Sequence, residues 1–247
     1  MAFVHAKSAK FFINKYDISA YLNNVDMPRD VDGPEVTTFG NNDRKYITGL
    51  RNSTMSVSGF FDESSSLAIA ALTSLLGKST SLNVTYAPSG TTQGNVTYSV
   101  QAIKTNYTVS GAVDGAAGVT IDLQGNDVLS PGVSLHALTA RTSAGNGSAY
   151  KQSGGSTSAG AVAYLHVTAL TIPATGRLPI AVQDSPTCSP GTWAALISFD
   201  NITCAGGKHQ RKTVTGNVDQ YVRSQWTRAT TTNGAFSATF TIAFKGV

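Results

Sequence analysis

Few residues in this chain combine the type and the spacing that catalysis or metal binding requires. The chain has four histidines, which are scattered through the sequence: His5, His136, His166 and His209. His166 falls on the polar side of its predicted strand, where a histidine is more often a surface or interface residue than a metal ligand. The neighbouring carboxylates Asp62 and Glu63 could act as an acid–base couple. They stand at the predicted start of a helix, however, and the helix dipole explains them more simply.

Recognised catalytic and cofactor-binding motifs are missing from the sequence. It has no P-loop, no dinucleotide-binding glycine pattern after a strand, no HExxH and no GxSxG. We therefore predict no catalytic residue, no cofactor and no metal, and we expect that the chain is not an enzyme.

The two cysteines and the two tryptophans each allow two interpretations. Cys188 and Cys204 lack the C-x-x-C spacing of a zinc or redox site. They flank a predicted strand and could form a disulfide, but free thiols are favoured. Trp193 and Trp226 could stack on sugar rings, whereas aromatic residues in alternating strands more often belong to the core.

The composition favours β structure and a protein that is covered by copies of itself. Only 13% of the 247 residues are charged, and the mean hydropathy is −0.04. The positive charge is concentrated late in the chain. Residues 1–131 contain nine Lys or Arg against eleven Asp or Glu, and residues 132–247 contain nine against three. This asymmetry predicts two domains in different surroundings.

The sequence shows neither a signal peptide nor an apolar run long enough for a membrane helix. We therefore expect that the protein is made in the cytoplasm and has no membrane partner.

Hydrophobic periodicity predicts a mainly β fold in two parts. Strict alternation begins at Thr54, and the final strand alternates from Phe236 to Phe244. A long polar loop is predicted at about 30–53 and one helix at about 64–76, with Gly77 as the stop. A Gly/Ser-rich stretch separates this part from a second β unit without a helix. The predicted domains are residues 1–138 and 139–247.

Four segments in the first quarter of the chain resemble the tail tube (major tail) proteins of long-tailed bacteriophages, especially siphophages of actinobacteria. They are DISAYLNN (17–24), EVTTFG (35–40), RKYITGLR (44–51) and SVSGFFD (56–62). The order of strand, long loop, alternating strand and helix is also similar, and a looser likeness extends through the C-terminal half.

The resemblance implies a tail-tube-type β-sandwich or barrel with one flanking helix, followed by a second all-β sandwich on the tube exterior. Copies would join into rings that stack into the virion tail tube, whose acidic bore conducts DNA during ejection without binding it specifically. Six subunits per ring are expected, or three if the second half hides another tube domain. Further partners would be the tape measure and tail terminator proteins.

The resemblance also implies that the long loop makes contacts between stacked subunits. The residues expected to do so all lie on this loop: Glu35, Phe39, Arg44, Tyr46, Leu50 and Arg51. The alternative function is a virion decoration or adhesion protein that binds host-surface carbohydrate through its second domain.

Overall fold

The computed structural model describes residues 6–61, 73, 76–77, 81–111, 113, 115–127, 129–203, 208–228 and 236–246. Among the described residues, strand accounts for 58% and helix for 3%, which confirms the predicted mainly β fold class. The predicted helix at about 64–76 lies almost entirely outside the described residues. Gly77, its predicted stop, has a left-handed φ of 71°.

Seventeen strands follow one another along the described chain. They are β1 (Lys10–Ile13), β2 (Tyr16–Asp17), β3 (Leu22–Asp26), β4 (Arg29–Val31), β5 (Arg51–Phe60), β6 (Leu82–Ala87), β7 (Val96–Ser110), β8 (Gly118–Gly125), β9 (Ser130–Arg141), β10 (Gly145–Asn146), β11 (Tyr150–Lys151), β12 (Ala161–Thr171), β13 (Ile180–Ser185), β14 (Ala194–Ser198), β15 (His209–Val214), β16 (Tyr221–Trp226) and β17 (Ser237–Gly246). Two short 3-10 turns, Ala6–Ser8 and Ser19–Tyr21, precede β1 and β3.

The strands form two compact units that interleave along the chain. The first unit combines Met1–Ser19, Asn83–Ser99 and Ser130–Val247, and the second combines Ala20–Leu82 and Val100–Leu129. The bounds of these units differ from the predicted bounds of 1–138 and 139–247. Which residues form a tube domain and which an exterior domain stays a prediction.

In the second unit, β5 is the central strand of an antiparallel sheet. It pairs with β3 and β4 on one side and with β8 on the other, and β8 also pairs with the later part of β7. The predicted alternation of β5 is confirmed, because Met55, Val57 and Gly59 are buried whereas Thr54, Ser56 and Ser58 are only partly covered. Ile121 and Leu123 of β8 extend the buried side.

The first unit is a sandwich of two antiparallel sheets. One sheet has the order β15-β12-β17-β9-β7-β6-β1-β2, and the smaller one has the order β10-β16-β13-β14, with β11 also on β16. Side chains from both sheets share one core, which includes Leu165, Val182, Phe199, Phe240 and Ile242. The strict alternation of β17 in the sequence arises from this packing, because its apolar residues face the opposing sheet.

Two expectations about aromatic and imidazole side chains are wrong. Trp193 was expected in the core, but it is partly exposed, and only Trp226 of the two tryptophans is buried there. His166 was expected at a surface or interface, but it is completely buried. Its ring stacks on Phe12, with the centroids 5.3 Å apart, and its Nε2 pairs with the hydroxyl of Thr85 at 2.8 Å.

Candidate functional site

The segment from Arg29 to Ser53, here called the arm, contains the predicted loop and is a long β-hairpin. At its base, β4 and β5 pair through Arg29 with Ser53 and Val31 with Arg51. Pairing continues outward, because the Asp32 nitrogen donates to the Leu50 oxygen at 2.9 Å and the Gly49 nitrogen donates to the Asp32 oxygen at 2.7 Å. The predicted loop therefore satisfies much of its backbone within itself.

The outer part of the arm closes in a tight turn. Glu35 and Tyr46 form an isolated antiparallel bridge, and the Val36 nitrogen donates to the Lys45 oxygen at 2.8 Å. The chain reverses where the Asn41 nitrogen donates to the Thr38 oxygen at 3.3 Å. Gly40, inside this turn, has a φ of 91°, which a side chain rarely permits.

Polar side chains reinforce the hairpin without giving it a core. The Thr37 hydroxyl donates to the Glu35 carboxylate at 2.7 Å and accepts from the Lys45 nitrogen at 3.0 Å. Arg44 lies 3.9 Å from the other oxygen of Glu35, as an exposed ion pair. Such pairs stabilise by less than about 1 kcal/mol, so they orient the arm more than they anchor it.

Large apolar side chains cover the arm and remain open to solvent. Phe39 is 108% exposed and Leu50 is 79% exposed. Four further arm residues share this exposure: Val31, Val36, Tyr46 and Ile47. Contiguous apolar surface is rare on soluble monomers and usually marks an interaction site.

The structure places all six predicted contact residues on the arm. It brings Glu35, Arg44 and Tyr46 together, puts Phe39 next to the turn, and puts Leu50 and Arg51 at the base. Val36 and Ile47 were not among the predicted contact residues, although apolar residues inside a polar segment could have indicated them. The participation of all these residues in subunit contacts stays a prediction.

Ten polar residues lie side by side on the outward side of the second unit's sheet and are here called the polar face; Phe60, which is also outward and 55% exposed, lies at the end of the β5 row. In β5 and β8 the polar face consists of Thr54 opposite Gln124, Ser56 opposite Asp122 and Ser58 opposite Thr120. Neighbouring strands extend the same rows with Asn24 and Asp26 of β3 and with Asn106 and Thr108 of β7. None of these ten residues is Lys or Arg, and two are Asp.

Hydrogen bonds across the strands hold a negative charge in the middle of the polar face. The Ser56 hydroxyl donates to one oxygen of Asp122 at 2.6 Å, and the Asn106 amide donates to the other at 2.9 Å. Both bonds lower the pKa of Asp122, so this carboxylate remains ionised at neutral pH. The polar face is therefore electronegative, well hydrated and free of cationic side chains.

The cations nearest in sequence point away from the polar face. Arg29 pairs with Ser53, and Arg51 pairs with Val31. Arg51 and Ser53 alternate with the outward residues of β5, so both arginines lie on the opposite side of the sheet. Together with Leu129 they line an open groove of about 750 Å³ at the base of the arm. Asp30 and Asp127 also line this groove, so it contains charges of both signs, whereas the polar face contains only negative ones.

The two buried histidines, His136 and His166, pack against aromatic side chains in the interior. His136 is packed between Trp226 and Phe240, and its Nε2 accepts a hydrogen bond from Arg141 at 3.1 Å. Burial lowers the pKa of both His136 and His166 to about 4, which keeps the imidazoles neutral.

Within the described ranges, no group of three or more His, Cys, Asp or Glu could hold a metal ion. Of the helical residues that can be described, none belongs to a helix long and apolar enough to cross a membrane.

No family model matches this sequence, and no curated protein matches it. Solved structures with a partial likeness include the tail of an empty gene transfer agent particle with C6 symmetry. It is 15% identical, covers 48% of this chain and 92% of its own, and has a TM-score of 0.36.

Two further structures are similar at the same level. The extended sheath–tube complex of an extracellular contractile injection system, PVC, is 14% identical, covers 53% of this chain and 91% of its own, and has a TM-score of 0.43. The Dit protein of SPP1, a hub protein of phages that infect Gram-positive bacteria, is 12% identical, covers 97% and 100%, and has a TM-score of 0.40. With TM-scores below 0.5, these likenesses are too remote to assign a function.

Proposed function

We propose that this chain is a structural protein of a phage tail that polymerises into stacked rings, the virion tail tube. Its role is structural and not enzymatic. The resemblance of residues 17–62 to tail tube proteins supports this proposal, and the exposed apolar arm is the observation that carries it. An arm that pairs its own backbone and leaves Phe39 and Leu50 in solvent gains stability only when another surface covers those side chains.

The arm belongs at the junction between subunits of adjacent rings. Copies of one chain offer each arm an identical receiving surface, so a single kind of contact can repeat around and along a tube. Six subunits per ring is our proposal, with three as the alternative if the second half of the chain contains another tube domain. Tape measure and tail terminator proteins would then contact the inside and the end of the tube.

The polar face belongs in the bore. The ten residues of the polar face include Asp26 and Asp122 but no cation. DNA phosphates that pass such a wall would release no counterions and would therefore gain no affinity for it. DNA could then move through the tube during ejection without specific binding. The alternative role, a decoration or adhesion protein, requires neither the arm nor a cation-free sheet face.

The experiment that tests this proposal compares two kinds of exposed apolar residue. The double variant Phe39→Ser, Leu50→Ser removes apolar surface from the arm. Val113→Ser is the matched control, because Val113 is 111% exposed but lies outside the arm.

Sedimentation velocity over a wide concentration range provides the measurement. Burying a large apolar side chain stabilises a contact by roughly 2 kcal/mol, so the arm variant should need more than about tenfold higher concentration to assemble. The Val113→Ser protein should assemble like the wild type. If the wild type and both variants sediment identically, the arm is not an assembly element and the proposal fails.

A further inference from the structure

The outward side of the small sheet in the first unit has the opposite electrostatic character to the polar face. In β16, Val222, Ser224 and Trp226 are buried, so Tyr221 and Arg223 point outward. The strand register places Gln183 beside Arg223 and Lys151 beside Tyr221 on the same side. We call this surface the basic face and define it by six residues: Lys151, Gln183, Trp193, Tyr221, Arg223 and Gln225.

Arg223 is held in a fixed orientation on this surface. Its Nε donates a 2.8 Å hydrogen bond to the amide oxygen of Gln183, which is itself only 8% exposed. Its guanidinium carbon lies 4.3 Å from the ring centroid of Trp193. Among the residues that the structure describes, no carboxylate lies within 4 Å of Arg223. The two terminal nitrogens are therefore oriented and open to an external acceptor.

The rest of the basic face supplies a second cation and further aromatic surface. Lys151 is exposed, and its ammonium lies 6.0 Å from the ring centroid of Tyr221. Trp193 and Tyr221 are both partly exposed, as is the amide of Gln225. None of the six residues is acidic.

We propose that the basic face binds an acidic polysaccharide, one whose sugar rings carry carboxylates. An oriented guanidinium forms two parallel hydrogen bonds with a planar carboxylate, which a surface lysine does not achieve alone. Partly exposed aromatic rings cover the apolar faces of sugar rings. Side-chain amides can donate to and accept from hydroxyl groups, so Gln225 complements the uncharged part of a saccharide. The charge of the basic face selects the acidic polymer, and its aromatic residues select the sugar.

Affinity electrophoresis of the folded 247-residue chain tests this inference. The gels contain alginate as an acidic polysaccharide, dextran as a neutral one, polyglutamate as an acidic polymer without sugar, or polyphosphate. The background is the double variant Phe39→Ser, Leu50→Ser, so that failure of binding and failure of ring assembly are separate outcomes. Arg177→Gln is the charge-matched control, because Arg177 is exposed and lies outside the basic face.

Alginate should retard the protein, and Arg223→Gln and Trp193→Ala should each weaken the retardation at least fivefold. Arg177→Gln should leave it unchanged, and Trp193→Phe should preserve most of it. Circular dichroism checks that each variant is folded. If Trp193→Ala does not fold, the result for Arg223→Gln alone decides the test. The inference is overturned if alginate does not retard the protein, or if polyglutamate or polyphosphate retards it equally. It is also overturned if Arg177→Gln weakens binding as much as Arg223→Gln.

Discussion

Glu35 and Tyr46 face each other across the arm in an isolated antiparallel bridge, eleven positions apart in sequence and far outside any buried core. The bridge shows that a segment of polar and apolar residues without periodic pattern can still form a hairpin. The backbone and the side chains of the arm also differ in what they need from a neighbouring subunit. The backbone of the arm is largely satisfied within the subunit, whereas its apolar side chains need a neighbour.

The first prediction concerns the polar face. In a background that lacks Cys188 and Cys204, Ser58→Cys should react readily with a long polyethylene-glycol maleimide in dilute protein. In assembled tubes it should become protected, because the bulky reagent enters the bore poorly. A protein that retains the exposed Cys188 as its only cysteine is the control, and it should remain reactive after assembly. Equal reactivity at both positions in tubes would place the polar face outside the bore.

The second prediction concerns Gly59, where the backbone of another segment leaves no room for a side chain. A Cβ atom at this position would lie 1.9 Å from the carbonyl oxygen of Tyr21, where β3 joins β5. Gly59→Ala should therefore lower the free energy of unfolding by about 2 kcal/mol or more. Gly111→Ala is the control, because a Cβ there meets nothing within 4 Å, and it should change stability by less than about 0.5 kcal/mol. Urea unfolding of both variants provides the comparison, and equal stabilities would refute the predicted strand contact.

The third prediction concerns pH. His136 and His166 have pKa values of about 4 in the folded protein because burial opposes their charging. Unfolded histidine titrates near 6.5, so the unfolded chain binds more protons between these two values. Their contribution to stability is complete above about pH 6.5 and is lost as the pH falls towards 4. The loss amounts to at most about 1.4 kcal/mol per pH unit for each histidine.

Urea unfolding at pH 7, 6.5, 6 and 5.5 measures this effect above the range in which most carboxylates titrate. We expect the midpoint to fall steadily below pH 6.5. A midpoint that stays constant down to pH 5.5 would mean that the two imidazoles are accessible to protons in the folded state.

The sequence predicted the features that are encoded locally. Alternation identified β5 and β17 because apolar residues recur at every second position in both strands, although Thr241 and Ala243 on the other side of β17 are also buried. The location of the arm was also predictable, since a long polar segment interrupts the strands. Its hairpin pairing was not, because residues such as Glu35 and Tyr46 carry no periodic pattern that would reveal their register.

Features that depend on distant partners were missed. His166 looked like a surface residue because it shares its side of the strand with Tyr164 and Thr168. Its hydrogen bonds come from Thr85 and Asn14, 81 and 152 positions away, which no local pattern reveals. Trp193 looked like a core residue because its apolar character gave no indication that Arg223 would cover its ring. The interleaving of the two units likewise depends on strand pairing that no local window contains.

Electron microscopy of the purified wild-type chain at high concentration tests the central claim most directly. We predict rings or tubes of uniform diameter with a stain-filled central channel, and we predict that Phe39→Ser, Leu50→Ser yields far fewer of them. Only discrete single subunits at every concentration, with no ring or tube in the wild-type sample, would contradict the proposal that this protein forms a tail tube.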